Sequence, residues 1–168
     1  MRVREARDGG RLERGMVLIA PGARHMQLRR SGGQYQAAVQ DGPPFNRHTP
    51  SVDVLFRSAA ECAGEDVLAI ILTGTGDDGA RGMRALHEGG AGTIARARAS
   101  CVVFGMPKEA IKLGAVDEVL PFDRVAGAIL RFDARSERPD GRTEQVRLRP
   151  GGRVRRATDR RGFRSVED

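Results

Sequence analysis

The stretch that most constrains the fold is DVLAIILT at residues 66–73, an almost continuous apolar run. Apolar residues without alternation are typical of a strand whose two faces are both buried, as in a parallel sheet covered by helices. Three closely spaced glycines follow the run, at Gly74, Gly76 and Gly79, and a helix-like pattern continues near 79–88. The order of strand, glycine turn and helix predicts a fold of the α/β class.

Alternating strand and helix patterns extend through the first three quarters of the chain. The best-marked helix lies between Ser51, a good N-cap, and Gly64, because its apolar residues recur at three- and four-residue spacing. Other helices are predicted near 79–88, 106–114 and 122–132, and strands within 2–10, at 16–20, on both sides of Ser31-Gly32-Gly33, and at 66–73, 92–97 and 116–121. The pattern predicts a three-layer, doubly wound, mostly parallel sheet with an inserted β-hairpin.

The positive charge is concentrated at the C-terminal end. Of the net charge of +7, residues 133–168 contribute +4 through eleven arginines against seven acids, and residues 1–132 contribute only +3. The segment 133–168 lacks apolar periodicity, so we expect a domain at 1–132 and a disordered, Arg-rich tail. The tail has almost no aromatic residue that would stack on bases, so we expect no nucleic-acid partner except through the tail's charge.

Several other site classes are disfavoured by the composition. No apolar run approaches 18 residues and no basic-then-apolar leader is present, so we expect a cytoplasmic protein without membrane insertion. Cys62 and Cys101 have no CxxC spacing, which favours buried thiols over a disulfide or a metal site. We expect neither a metal nor an organic cofactor.

The segment GTGDDG (74–79) admits three interpretations. Its glycine spacing is that of a dinucleotide-binding turn, but Asp77 and Asp78 would repel a bound pyrophosphate. It is also compatible with a plain glycine turn in which an Asp caps the next helix. The third interpretation makes one Asp, at the carboxyl end of a strand, the orienting acid of a catalytic triad. The spacing alone does not rank the third interpretation above the second.

A resemblance to a known family favours the third interpretation. The segments VREARDG, IAPGARHM, DGPPFNRHTPSVDVLFRSAA, ILTGTGDDGARGM and SCVVFGMPKEAIKLGAVDEVLP occur in order between about Val3 and Leu130. In spelling and spacing they resemble the catalytic domain of the protein-glutamate methylesterases of bacterial chemotaxis, the CheB family. The resemblance implies an α/β fold, a Ser-His-Asp triad without a cofactor, and hydrolysis of glutamate methyl esters on methyl-accepting chemotaxis receptors, with deamidation of receptor glutamines as a second activity.

The same resemblance assigns residues to the site. The triad aspartate of the family falls on Asp78, and Asp77 receives no chemical role. The oxyanion loop falls on Gly74, Thr75, Gly76 and Gly79, where Thr75 replaces a Met that is usual in the family and retains the backbone N–H of that position. His48 and Met106 fall on segments that we expect at the edge of the substrate site.

Other polar residues receive structural roles. We expect Ser51 to act as an N-cap rather than a nucleophile, His25 and His48 to be structural or at the substrate edge rather than the catalytic base, and His87 to be exposed at a helix end. Arg96 and Arg98 stand where relatives tend to have Gln and Glu, and they place positive charge near the site.

The resemblance also predicts an incomplete domain. In the family, the nucleophilic Ser lies in a GASTGG-like turn and the His in a QHMP-like turn, and both precede the segment that here begins almost at Met1. We therefore expect a domain truncated at its N-terminus, lacking its first strands and helix and the receiver domain, and inactive alone. Whether the chain is an enzyme stays open. The alternative is a non-catalytic remnant that binds a receptor or nucleic acid.

Overall fold

The computed structural model describes residues 1–136 of the 168-residue chain. Its strands are β1 (Arg2–Glu5), β2 (Gly10–Arg11), β3 (Met16–Ile19), β4 (His25–Ser31), β5 (Gln34–Gln40), β6 (Leu68–Ile71), β7 (Gly92–Arg96) and β8 (Glu118–Leu120). Its helices are α1 (Val52–Cys62), α2 (Ala80–Glu88), α3 (Gly105–Lys112) and α4 (Phe122–Ser136), with short 3₁₀ turns at Gly64–Asp66 and Arg98–Ser100. The predicted disorder of the tail falls almost wholly outside the described residues.

The strands form parallel and antiparallel groups, as an α/β fold with an inserted hairpin requires. Strands β6, β7 and β8 form a parallel sheet in that order, and β1 pairs in parallel with β3. The hairpin β4–β5 is antiparallel from His25 opposite Gln40 to Ser31 opposite Gln34, and β2 adds to its β5 edge. The predicted α/β class, parallel pairing and hairpin are all confirmed.

The main core lies where α1 and α2 pack against each other and against the parallel sheet. Met83 and Leu86 of α2 are fully buried and contact Ala69 and Ile71 of β6. Ala59 of α1 belongs to the same cluster. Small residues on these elements permit close packing of the helices on the sheet, which holds the N-terminal ends of α1 and α2 close together.

Two element boundaries and the burial of one strand differ from the sequence predictions. The strand predicted at 66–73 begins only at Leu68, because Gly64–Asp66 form a 3₁₀ turn after α1. Leu68 and Ile70 are only partly buried, since β6 is an edge strand among the described residues. The last helix continues to Ser136 instead of 132. No helix described within residues 1–136 is long and apolar enough to cross a bilayer.

Candidate active site

The candidate site is built on the loop between β6 and α2. Gly74, Gly76 and Gly79 have φ angles of +151°, +77° and +89°, which L side chains rarely adopt. A Cβ on Gly74 would lie 2.0 Å from Met106 Sδ, and one on Gly79 would lie 2.6 Å from a methyl of Val52. Backbone conformation therefore favours glycine at all three positions, and space requires it at Gly74 and Gly79 as well. The turn directs Asp78 inward.

The Asp78 carboxylate is buried against the N-terminus of α1. Asp78 is only 3% exposed to solvent. Oδ1 accepts hydrogen bonds from Ser51 Oγ at 2.7 Å, from the Asp53 N–H at 3.2 Å and from Asn46 Nδ2 at 3.5 Å. Oδ2 accepts one, from the Val52 N–H at 2.7 Å. The positive end of the α1 dipole and its unpaired amides stabilise the negative charge of this carboxylate.

The two oxygens of Asp78 differ in the acceptor capacity that remains. An ionised carboxylate offers about four lone-pair positions, two on each oxygen. Oδ1 already has three donors, whereas Oδ2 has only the Val52 amide among the described residues. Oδ2 can therefore accept one further N–H or O–H without displacing an existing bond.

Asp53 forms the counterpart of this arrangement on the other helix. It lies in the first turn of α1 and is completely buried. Its Oδ1 accepts a 2.6 Å hydrogen bond from the Gly82 N–H in the first turn of α2, and its Oδ2 accepts a 2.7 Å bond from Asn46 Nδ2. Asp78, just before α2, caps α1, while Asp53 of α1 caps α2. This reciprocal capping fixes the two helix N-termini relative to each other.

The Asn46 amide reaches both carboxylates from a tight turn. Phe45 and His48 exchange two backbone hydrogen bonds, of 3.1 and 2.9 Å, and the central residues Asn46 and Arg47 have φ angles of +49° and +67°. Those angles are typical of a type I′ turn, in which Asn is well tolerated. The turn directs the Asn46 side chain inward and leaves Arg47 and His48 exposed.

Backbone donors lie on the other side of the loop. Gly74 pairs with Phe104 in an isolated bridge, and its N–H and C=O bond to Val103 and Met106. The N–H groups of Thr75 and Gly76 donate to no atom of the described residues. Two consecutive free amides in a glycine-rich turn form an arrangement that can stabilise an oxyanion.

The structure brings together some of the sequence-predicted residues and separates others. Met106 packs on Gly74 of the loop. His48 shares the turn of Asn46 but makes no side-chain contact with Asp78. Asp77 is exposed and lies 3.9 Å from Arg81 of the next helix turn. Asp78 alone of the two acids has a buried, defined environment.

The remaining polar residues take structural positions in the described chain. Ser51 is the N-cap of α1, accepting from the Val54 N–H, as predicted. Buried His25 accepts a 3.3 Å bond from the Ser51 N–H through Nδ1, so it supports the same helix start. Arg96 bonds Ser100 and lies over the Phe122 ring.

Three further predictions have mixed outcomes. Arg98 is exposed and lies over Phe104, whose backbone pairs with Gly74, so it adds charge beside the loop. His87 is only partly exposed, since its Nδ1 lies 3.2 Å from the Asp117 carboxylate. Cys62 and Cys101 are free thiols, as predicted, but both are only partly buried.

Two residues of the site were not identified from the sequence. In the sequence, Asp53 has the position of an ordinary acid in the first turn of a helix, and Asn46 has the position of an ordinary turn residue. Their contact with Asp78 joins segments 25 and 32 residues apart in the chain. The only local signal was the pairing of a helix N-cap with an acid two residues later, Ser51-Val-Asp53, which is common in helix starts.

Comparison with known proteins identifies the family. Residues 1–129 match the CheB methylesterase family. A Dechloromonas aromatica protein named protein-glutamate methylesterase/protein-glutamine glutaminase 2 is 62% identical over 130 residues, 77% of this chain and 36% of its own length. An Anaeromyxobacter dehalogenans protein, protein-glutamate methylesterase/protein-glutamine glutaminase 4, is 57% identical over 129 residues, again 77% of this chain and 36% of its own length. The chain thus spans about a third of the length of these relatives.

A solved structure agrees with this result. The crystal structure of the Thermotoga maritima CheB methylesterase catalytic domain is similar with a TM-score of 0.74 and 36% sequence identity. The similarity covers 76% of this chain and 68% of that domain. With a family match over residues 1–129, close relatives and a shared fold, the chain belongs to the CheB methylesterase family.

Proposed function

We propose that this chain carries the aspartate and oxyanion-loop part of an active site that hydrolyses glutamate methyl esters, and glutamine amides, on methyl-accepting chemotaxis receptors in the cytoplasm. The names of its relatives support the reaction class. The observation that carries the proposal is the environment of Asp78: a buried carboxylate, held by four donors, with one acceptor position of Oδ2 still open.

The open position of Oδ2 suits the Nδ1–H of a catalytic histidine. In the proposed reaction a serine hydroxyl attacks the ester carbonyl while the histidine Nε2 takes the serine proton. Asp78 holds the imidazole in the tautomer that leaves Nε2 free, and its charge stabilises the imidazolium. The three donors on Oδ1 keep the carboxylate from rotating, so its second oxygen faces one direction throughout the reaction.

The oxyanion of the tetrahedral intermediate would lie at the free amides of Thr75 and Gly76. Collapse of the intermediate breaks the ester C–O bond, and methanol departs with the proton that the histidine returns. Water then hydrolyses the acyl-serine by the same steps in reverse, giving the glutamate carboxylate and free serine. A glutamine amide follows the same course with ammonia as the leaving group.

We propose that the nucleophile and base of this reaction are not supplied by residues 1–136. Ser51 Oγ donates a hydrogen bond to Asp78 and accepts one from a backbone N–H at the N-terminus of α1. The His25 ring accepts a hydrogen bond from the Ser51 N–H and lies 3.0 Å from the Pro43 carbonyl oxygen. No serine hydroxyl within residues 1–136 contacts a histidine ring. We therefore propose that the 168-residue chain alone is inactive, and that a segment bearing GASTGG- and QHMP-like turns completes the site.

The test is complementation. The part of the catalytic domain that precedes the matched region in the Dechloromonas aromatica relative is co-expressed with this chain, and methanol release from methylated receptor is measured. We expect release from the complex and none from either polypeptide alone. Asp78→Asn should lower the rate by about 10⁴-fold, as loss of the orienting acid does in other triads.

The neighbouring acid provides a matched control. Asp77→Asn makes the same chemical change one residue away, at an exposed side chain with only an ion pair to Arg81, and should leave the rate within twofold. Release that is equal in the two Asn variants would refute the role of Asp78. Stable binding of the complementing segment without any release would instead favour the non-catalytic alternative.

A further inference from the structure

We propose that Asn46 is a positioning residue of this site: its amide joins the Asp78 and Asp53 carboxylates and so fixes the direction in which Asp78 Oδ2 faces the histidine. The proposal rests on the proposed function of Asp78 as the orienting acid. Asn46 touches no reacting atom, so its effect on catalysis passes through the carboxylate.

The contacts of Asn46 are unusual for a turn residue. One side-chain nitrogen, Nδ2, lies 2.7 Å from Asp53 Oδ2 and 3.5 Å from Asp78 Oδ1. It is the only donor to Asp53 Oδ2 among the described residues, and Asp53 is completely buried. A buried carboxylate oxygen without a donor is costly, so removal of the amide destabilises the present orientation of Asp53.

A change at Asp53 is transmitted directly to Asp78. The Asp53 N–H donates to Asp78 Oδ1, and Asp53 Oδ1 accepts from the Gly82 N–H of α2. The two carboxylates are like charges that approach each other at the helix N-termini, and the Asn46 N–H groups lie between them. Without that amide, mutual repulsion favours rotation of the Asp78 carboxylate away from Asp53.

The backbone of the turn supports a role beyond connection. Asn46 and Arg47 both have left-handed φ angles, where a non-glycine residue costs of the order of 1 kcal/mol. Backbone in sparsely populated regions is concentrated at functional sites. At Asn46 the conformation directs the amide inward, whereas the Arg47 side chain is exposed and forms no hydrogen bond or ion pair within the described residues.

This pair of residues separates positioning from turn structure. Glycine is the residue best suited to a left-handed φ angle, so Asn46→Gly keeps or improves the turn while it removes the amide. Arg47→Gly relieves the same backbone strain at the adjacent position and removes no contact of the site, so it is the matched control. If Asn46 served only to form the turn, the two variants would behave alike.

The experiment measures kcat and KM for methanol release in the complemented enzyme. We expect Asn46→Gly to lower kcat about tenfold, the size of a hydrogen bond to a charged group, with KM within twofold, and Arg47→Gly to change neither. An unchanged kcat in Asn46→Gly, or an equal fall in both variants, overturns the proposal. No release from the wild-type complex refutes the proposed function instead.

A second measurement needs no activity. In the chain alone, hydrogen exchange of the Val52 and Asp53 amides reports the bonds to Asp78. We expect faster exchange at both amides in Asn46→Gly than in Arg47→Gly, with exchange in β6 and β7 unchanged. Equal protection of the two amides in both variants overturns the positioning role, whatever the outcome of complementation.

Discussion

Ser51 supplies the shortest side-chain hydrogen bond to Asp78, so its hydroxyl is the most direct probe of the environment of that carboxylate. In Ser51→Ala, the 2.7 Å bond to Asp78 Oδ1 and the 3.4 Å cap of the Val54 N–H are both lost. The backbone N–H of residue 51 remains and still donates to His25 Nδ1. The substitution therefore removes two side-chain bonds and leaves the course of the chain into α1 intact.

The expected loss of stability follows from these two bonds. A hydrogen bond to a charged group contributes about 1.5–3 kcal/mol. An N-cap contributes about 1 kcal/mol, and the long distance here places it near the lower end of its range. Asp78 keeps three other donors, so its charge stays compensated. We expect the free energy of unfolding to fall by about 2–3 kcal/mol in Ser51→Ala.

The assay is urea unfolding followed by circular dichroism, with the slope m unchanged between variants. Ser51→Gly isolates the contact to Asp78, because glycine is nearly as good an N-cap as serine. A double-mutant cycle with Asp78→Asn should give a coupling of about 1–2 kcal/mol. A loss below about 0.5 kcal/mol in Ser51→Ala, the range of ordinary surface substitutions, would show that the hydroxyl does not bond the carboxylate.

Two further predictions concern the loop glycines and the hairpin. Gly74→Ala should destabilise the protein by about 3 kcal/mol or more, because the new Cβ would lie 2.0 Å from Met106 Sδ. Gly76→Ala should cost only about 1 kcal/mol, because the space around Gly76 is open and only its φ angle of +77° is unfavourable. Equal losses of the free energy of unfolding in urea would contradict the packing at Gly74. Partial burial and the Asp66 carboxylate raise the pKa of Tyr35, the single tyrosine of the chain. The absorbance titration of Tyr35 should therefore have a midpoint above the ordinary value, and this midpoint should fall in Asp66→Asn. The folded state holds that proton more tightly, so this contribution to stability is complete below the ordinary pKa and is lost as the pH rises through the raised one.

The fold was predictable because its local signals agree. Ser51 marked the start of α1, the turn at Gly32-Gly33 marked the hairpin, and the apolar run before Gly74 marked a strand of a parallel sheet. The errors lie at ends of elements, where tertiary contacts compete with local pattern. The 3₁₀ turn at Gly64–Asp66 shortens β6, and α4 continues to Ser136 because no Gly or Pro occurs from Ala128 to Ser136.

The site was predictable only in part. Family resemblance selected Asp78 over Asp77, and the structure gives the two acids different surroundings, one buried and one exposed. The roles of Asp53 and Asn46 had no specific sequence signal, because they depend on the approach of α1 to α2. The spacing of a motif records neighbours along the chain, whereas hydrogen bonds between helix ends are fixed by packing.

The capping of α1 and the proposed catalytic role require the same charge state and a compatible orientation of the Asp78 carboxylate. A cap requires an ionised carboxylate held against backbone amides, and a triad acid requires the same charge in a fixed orientation with one acceptor position free. Oδ1 accepts from the Ser51 hydroxyl and the Asp53 amide, while Oδ2 accepts from the Val52 amide and keeps one acceptor position that no described residue fills. The hydrogen bonds that stabilise the helix pair therefore also prevent rotation of the Asp78 carboxylate, as the role of a triad acid requires. Substitutions at Asp78 affect all four of its hydrogen bonds at once, so they should lower both stability and activity, whereas Ser51→Ala should mainly lower stability and Asn46→Gly mainly kcat.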